Sequence, residues 1–358
     1  MMNTVLDRLN LDLRTAVSTP QKILFVHNHR SEFVRLDLEE LQKRYQVTEC
    51  HLRSRWVNPL AIWRQVQQHD LVFGWFASWH TCLPLEFARL AGKPSLLVIG
   101  GYDLADLPEI GYGHQRGGLK KWLSRRTMRR ASCLVTNSLY SQSEAVSNAG
   151  LEKEQVHAIY HGVPDRFGSL PQGARGRTAL TVGNVDNSTR SRKGHELFVR
   201  AAALMPDVNF VLAGKWKDDS VEHLRSIAGP NVTFTGRLSD EALNDYYRQA
   251  SVYVQASRHE GFGLSVAEAM LAGCIPVVTR AGALPEVTGD AGVFVDSPEP
   301  AALAQAIAQA LTFPESERGA VRQRILDCFP IEKRGQLLES LIRPLMNGAE
   351  GKSESSAW

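Results

Sequence analysis

The chain is poor in cysteine and has little excess of charge of either sign, and each shortage excludes something. Its five cysteines among 358 residues (Cys50, Cys82, Cys133, Cys274 and Cys328) are odd in number, scattered and never arranged C-x-x-C. This argues against a disulfide framework or a zinc site and for reduced thiols. No stretch approaches the roughly 18 uninterrupted apolar residues of a membrane span. The opening segment, MMNTVLDRLNLDLRTAVSTP, carries charges throughout and has no apolar core of the secretory kind. The expectation is a cytoplasmic protein, dissolved or resting on a membrane face. A net charge of +3, from 41 basic and 38 acidic side chains, is too small to attract nucleic acid by bulk electrostatics. No D-x-D pair is placed for a divalent cation, so no metal is expected.

The hydrophobic fraction of 43% and charged fraction of 22% are those of a folded globular chain, and the length suits two domains. From Lys22 onward short β-branched runs alternate with helical stretches. KILFVH, QVTECHL, DLVFGWF and KPSLLVIGG read as strands; SEFVRLDLEELQKRY, NPLAIWRQVQQ and LPLEFARLAG read as helices. Strands apolar throughout are those of a parallel sheet covered on both faces. A second β-α series, from RTALTVGNV to CIPVVTR, follows the Gly/Pro-rich stretch HGVPDRFGSLPQGARG, which is the natural linker. The pattern predicts an α/β protein of two doubly wound domains, 1–163 and 164–329. A helix over about 330–346 is expected to turn back onto the first domain, followed by a flexible tail at 347–358.

The segment from Ser257 to Glu286 has the order strand end, glycine loop, helix start and strand, where ligands sit in an open α/β sheet. Gly261 and Gly263 allow close backbone approach. The amides of Phe262, Gly263 and Leu264 precede a helix N-terminus, which attracts a diphosphate. Glu268, in the first helical turn, is suited to a vicinal diol such as ribose, and Glu260 to the sugar side of the same ligand. The stretch S-V-A-E ending at Glu268 also fits a capping box, in which Glu268 merely satisfies a backbone donor.

E-G-F-G-L-S-V-A-E followed by A-M-L-A-G-C-I-P-V-V resembles the donor motif of family-4 retaining glycosyltransferases of the GT-B fold, two Rossmann-like domains facing a central cleft. The resemblance extends to G-N-V…R-K-G (183–194), V-L-A-G-K (211–215), F-T-G-R-L (234–238) and G-A-L-P-E (282–286). It implies that Lys193 neutralises the donor diphosphate, Glu260 lies near the transferred sugar and Glu268 holds the ribose. It also implies that the Phe262–Leu264 amides meet phosphate or sugar, that Arg237 and Leu238 meet the base, and that Gly214, Lys215 and Gly236 lie at strand ends on the same cleft. Two departures stand out. Asn184 occupies the position where the family has arginine, leaving Arg190 or Arg192 to supply that charge or to lie on the surface. Where relatives carry H-G-x-D, this chain has Gly100-Gly101-Tyr102-Asp103, so Asp103 is the retained candidate catalytic group, with a turn cap as its alternative. Tyr102, His80 and His27 are acceptor-side candidates, and His29 stands in the same first βα loop as His27.

The implied activity is metal-independent retaining transfer from a nucleoside-diphosphate sugar, UDP- or GDP-linked, to a glycan, glycolipid or small-molecule acceptor, with no separate cofactor. Lys193, Glu260 and Asp103 are the catalytic candidates. A hydrolase built on Glu260 and Glu268 is rejected, since both are implied to lie on one donor wall. A binding protein without turnover and a nucleotide-sugar 2-epimerase are the alternatives. The stretch 119–130 holds six basic residues interleaved with Leu119, Trp122, Leu123 and Met128. It reads either as a helix resting on anionic lipid or as a core-packing helix with a solvated basic face.

Overall fold

The computed structural model describes residues 21–170 and 175–353, with side chains to residue 348. Two six-stranded sheets make up the molecule. The first contains β1 (Lys22–His27), β2 (Gln46–His51), β3 (Leu71–Trp75), β4 (Ser95–Ile99), β5 (Cys133–Thr136) and β6 (Val156–Ala158) in the order β2-β1-β3-β4-β5-β6. The second contains β7 (Thr178–Val182), β8 (Asn209–Ala213), β9 (Val232–Gly236), β10 (Val252–Gln255), β11 (Ile275–Thr279) and β12 (Val293–Val295) in the order β12-β11-β10-β7-β8-β9. Every pairing is parallel. The second order is that of a dinucleotide-binding sheet, and in both sheets the order in which strands are added reverses once, between β1 and β3 and between β7 and β10. Crevices therefore open at the carboxyl ends of those strands.

The apolar runs bury as a two-faced sheet requires. All five residues of β3 and of β4 are buried, as are five of the six in β1. One face of the first sheet is covered by a core that includes Ile62, Val66, Leu85 and Met128. The other is covered by Val34 and Leu41 together with Leu338, Ile342 and Met346. Those last three belong to the helix Ile331–Ser353, which leaves the second domain and lies against the first. Its Arg334 forms a buried two-pronged ion pair with Asp37, each about 1% exposed. The helix continues through residue 353, across the first half of the stretch expected to be a flexible tail; residues 354–358 lie outside the described residues. The chain crosses between domains twice, side by side, where Val163 N–H donates to Phe329 C=O at 2.8 Å. Among the described residues no helix is long and apolar enough to cross a membrane.

Candidate active site

The two switch points face one another across a cavity of about 410 Å³ with walls from both domains. On the second domain, β10 ends in Gln255 and the chain turns through Ser257 to Glu260. Ser257 Oγ donates to Glu260 Oε1 at 2.9 Å and Gln255 Nε2 donates at 3.2 Å. Lys193 Nζ lies 3.4 Å and Arg192 Nη1 3.7 Å from the same oxygen. Burial alone would raise the Glu260 pKa, but Lys193 and Arg192 outweigh it and hold the carboxyl below its ordinary range. Glu260 is therefore an ionised acceptor and no proton donor at neutral pH. Two cations against one carboxylate leave a surplus of positive charge at the cavity wall. Burial, with Lys193 and Arg192 adding to it, pushes the neighbouring His195 down to about 3, so it adds no charge.

Arg192 has the cleft position that the sequence left open between two arginines. It donates to His259 C=O at 3.1 Å, its guanidinium lies 4.8 Å over the Tyr112 ring, and it lines the cavity; Arg190 does not. Asn184 is exposed and does not line the cavity; its backbone carbonyl accepts from Thr189 Oγ1 at 2.7 Å.

Gly263 caps the helix Leu264–Leu271 at φ +101°, a conformation L side chains rarely adopt, with no side chain capping the helix. The capping box is thus not formed: Ser265 lies inside the helix, and Glu268 Oε2 instead accepts from Tyr247 Oη at 3.2 Å. The loop amides are left for a ligand, with the helix dipole behind them. Gly261 brings the loop against the first domain, since a Cβ there would sit 3.2 Å from Gly101 N. The Phe262 ring is buried against Tyr160, His161 and Phe329, so it is this residue's backbone that faces the cavity. Glu268 borders a smaller adjoining cavity of about 200 Å³, next to Glu32 and Arg166. Burial, with Glu32 adding to it against Arg166 and Tyr247, pushes its carboxyl up to about 7.

The remaining donor-side candidates follow the strand ends. Gly214 and Lys215 come directly after β8, and Gly236 ends β9, followed by Arg237 and Leu238. All stand at the carboxyl edge of the sheet, but none lines the central cavity; Arg237 and Lys215 are exposed, and Leu238 packs on the core.

On the first domain, Asp103 is buried. Its Oδ2 accepts from Ala77 N–H at 2.8 Å and its Oδ1 from Gly100 N–H at 2.9 Å, which ties the loops after β3 and β4 together. These contacts are those of the turn-holding alternative, and Asp103 also borders a first-domain cavity next to the central one. Burial outweighs these bonds and pushes its carboxyl up to about 7. Tyr102 lines the central cavity and is half-buried against Tyr112 and His114. His80 is buried, its Nε2 at 2.8 Å from Trp75 C=O, and burial pushes it down to about 4. His27 is buried beside Glu49 at 2.7 Å and stacked on His51; it lines none of the described cavities, and His29 is exposed.

Several site features had no sequence signal. Phe76, immediately after β3, has φ +66° and is the one non-glycine residue with positive φ among the described residues. Such a backbone costs on the order of 1–3 kcal/mol and is kept where the surroundings demand it. The residue lines the same cavity as Glu260, from the first domain. Glu286 reaches across the cleft, accepting from Leu139 N–H at 2.9 Å and Tyr140 N–H at 2.7 Å, the first turn of the helix Leu139–Ser147. Ser138 Oγ donates to Gly261 C=O at 2.7 Å, and His259 Nε2 meets Glu144 at 2.9 Å, both groups buried. Glu286 ends the G-A-L-P-E motif, so its importance could be read, but its partner could not.

Fold and cleft together define the class: a GT-B architecture of two Rossmann-like domains flanking a cleft. Within it, residues 176–312 match the family described as Glycosyl transferases group 1. The chain is 26% identical over 267 residues to a D-inositol 3-phosphate glycosyltransferase of Mycolicibacterium gilvum, covering 69% of this chain and 57% of that protein. It is 37% identical over 142 residues to the O-antigen chain mannosyltransferase B of Escherichia coli, covering 37% of this chain and 36% of that protein. The chain thus spans about half the length, or less, of these curated relatives. Among solved structures, Anabaena HepE in complex with UDP and glucose superposes with a TM-score of 0.73 at 18% identity, covering 90% of this chain and 100% of that one. The sucrose-phosphate synthase of Thermosynechococcus elongatus gives 0.73 at 18% identity, with 92% and 100% covered.

Proposed function

We propose that the protein transfers a sugar from a nucleoside-diphosphate sugar, UDP- or GDP-linked, to an acceptor hydroxyl, with retention of anomeric configuration and without a metal. The observation that carries this reading is the meeting of Lys193, Arg192 and ionised Glu260 with the uncapped, glycine-led start of the helix Leu264–Leu271 at a switch point. Breaking the donor's glycosidic bond puts negative charge on the diphosphate. Fixed cations and backbone amides stabilise that charge without reorganising during the reaction. Glu260 orients the two cations and offers an acceptor to the sugar hydroxyls, while Glu268, in the adjoining pocket, is suited to the ribose diol. Attack comes from the side of the departing phosphate, with no protein carboxylate as nucleophile. The resemblance to group 1 glycosyltransferases and the UDP-bound neighbour support this assignment.

The same reading places the donor on 164–329, the acceptor on 1–163, and the protein on the cytoplasmic side of the membrane. Screening UDP-, GDP- and ADP-sugars by thermal shift should give one base that raises the melting temperature, because a ligand bound only by the folded state stabilises it. Incubation of that donor with candidate acceptors should then release nucleotide in step with product, and NMR of the product should show the donor's own anomeric configuration. Stabilisation without turnover would leave a binding protein; no stabilisation by any nucleotide sugar would sink the assignment.

A further inference from the structure

Beside the central cavity, and sharing Phe76 and Tyr102 with it, the first domain holds a larger one of about 650 Å³. That cavity adjoins a third, of about 430 Å³, through Arg55, Trp79, His80 and Leu123, which line both. Together they form a trough leading from the donor cavity toward the exterior. Its walls are mainly apolar: Trp79, Leu119 and Leu123 in the nearer part, Ile62, Leu83 and Pro84 in the farther. Asp103 borders the nearer part but has both oxygens on backbone N–H groups, and Glu86 in the farther part is paired with Arg126 and Arg130, whereas Lys120 and Arg55 have no carboxylate within ion-pair distance among the described residues.

The surface around the trough is unusual in the same sense. Leu119 is 75% exposed, Trp122 58%, Leu60 66% and Trp56 95%, all on the two segments that flank the trough. The helix Gly118–Met128 carries Lys120, Lys121, Arg125 and Arg126, and Arg129 and Arg130 follow it. Arg125 is spent internally, on Gln115 and the Asn148 carbonyl, and Arg126 and Arg130 face Glu86, which leaves Lys120, Lys121 and Arg129 without a carboxylate among the described residues. A core-packing helix does not need Leu119 and Trp122 in water, and a fully polar acceptor has no use for an apolar trough of this length.

We infer that the acceptor is an anionic amphiphile: its hydroxyl end lies at Phe76 and Tyr102 beside the donor, its acidic group meets Arg55 and Lys120, and its hydrocarbon part runs along Trp79 and Leu123. This deepens the transferase reading, on which it rests. The exposed Leu119 and Trp122 and the free cations would then meet the anionic surface from which such an acceptor is presented.

Trp79 in the trough wall gives a fluorescence readout. With the full chain, octyl phosphate below its micellar concentration should bind at least tenfold more tightly than either inorganic phosphate or octyl glucoside. Leu119→Glu and Lys120→Glu, both at exposed positions, should each weaken it about fivefold or more. Vesicles containing phosphatidylglycerol should retain the protein, phosphatidylcholine vesicles should not, and Trp122→Glu should release it while leaving octyl phosphate binding intact. Equal binding of octyl glucoside, or octyl phosphate binding untouched by both trough variants, would overturn the inference. So would retention by the neutral vesicles equal to that by the anionic ones. Nucleotide-sugar binding measured on the same samples separates the two readings: its loss alone strikes the transferase assignment, and loss of octyl phosphate binding alone strikes this one.

Discussion

The second-domain wall of the cleft gathers charges that touch one another, whereas the first-domain wall presents aromatic rings, with Glu32 already paired to Arg35 and Arg166 and Asp103 behind the wall bonded to backbone. Lys193 and Arg192 lie 3.4 Å and 3.7 Å from one shared oxygen of Glu260. Opposite them stand Phe76 in its strained conformation and Tyr102, and the nearby Asp103 has both oxygens occupied. One wall concentrates fixed charge, as the proposed transfer requires. The other is built to hold a shape. The difference predicts that substitutions on the two sides will separate into losses of rate and losses of stability.

The largest effect is expected at Lys193. Lys193→Ala should lower the transfer rate by about 10²–10³-fold, the range for removing a preorganised group that stabilises developing charge, with the melting temperature little changed. An equal loss of stability would erase the contrast. On the opposite wall, Asp103→Asn should cost about 1–3 kcal/mol of stability, because an amide cannot replace both accepting oxygens and leaves a buried N–H poorly satisfied. Donor affinity, measured calorimetrically, should stay within about threefold of the parent if the effect is confined to folding.

The two glutamates of the donor motif should differ in their response to pH. Glu268 titrates near 7, and a diol is held best by its ionised form, so donor affinity should rise by about tenfold between pH 6 and 8, and Glu268→Gln should flatten the rise. The sign for stability is the reverse. A carboxyl whose folded pKa is raised contributes stability that is full below its unfolded value near 4.5 and lost as pH climbs through about 7. Glu268→Gln should therefore melt higher than the parent at pH 8 while binding donor less well. Glu260, held ionised by its cations, should show no such dependence. The smallest change is expected at the buried contact between the two domains: Glu144→Gln keeps one hydrogen bond to His259 and should weaken donor binding by less than about 1 kcal/mol, measured as the dissociation constant of the nucleotide sugar.

What could be read from the residues and what could not divides along physical lines. The donor loop was legible because its parts lie within thirty positions of one another and each has a local requirement: glycine for positive φ, carboxylates at fixed spacing, a helix start. Long apolar strands such as β3 and β4 were legible for the same reason. Strands β5, β6 and β12, of four, three and three residues, were not, since so short a run carries no period. The clamp of Glu286 on the helix at Leu139 joins residues 147 apart, and the His259–Glu144 pair residues 115 apart; neither has a local signature. Phe76 was invisible because a bulky aromatic is the last residue expected at positive φ. Asp103 was recognised as important, but whether it holds a turn or acts on substrate depends on where two backbone amides point.

The paired crossings at Val163 and Phe329 carry a last consequence. Two covalent strands bonded side by side permit rotation about the line they share and resist shear and twist between the lobes. Separation of the two sheets therefore reduces to a single angle. The contacts of Glu286 with the helix at Leu139 and of Ser138 with Gly261 lie close to that line, beside the packed rings of Tyr160, Phe262 and Phe329, so they brace the root of the cleft and leave its outer edges the longer lever.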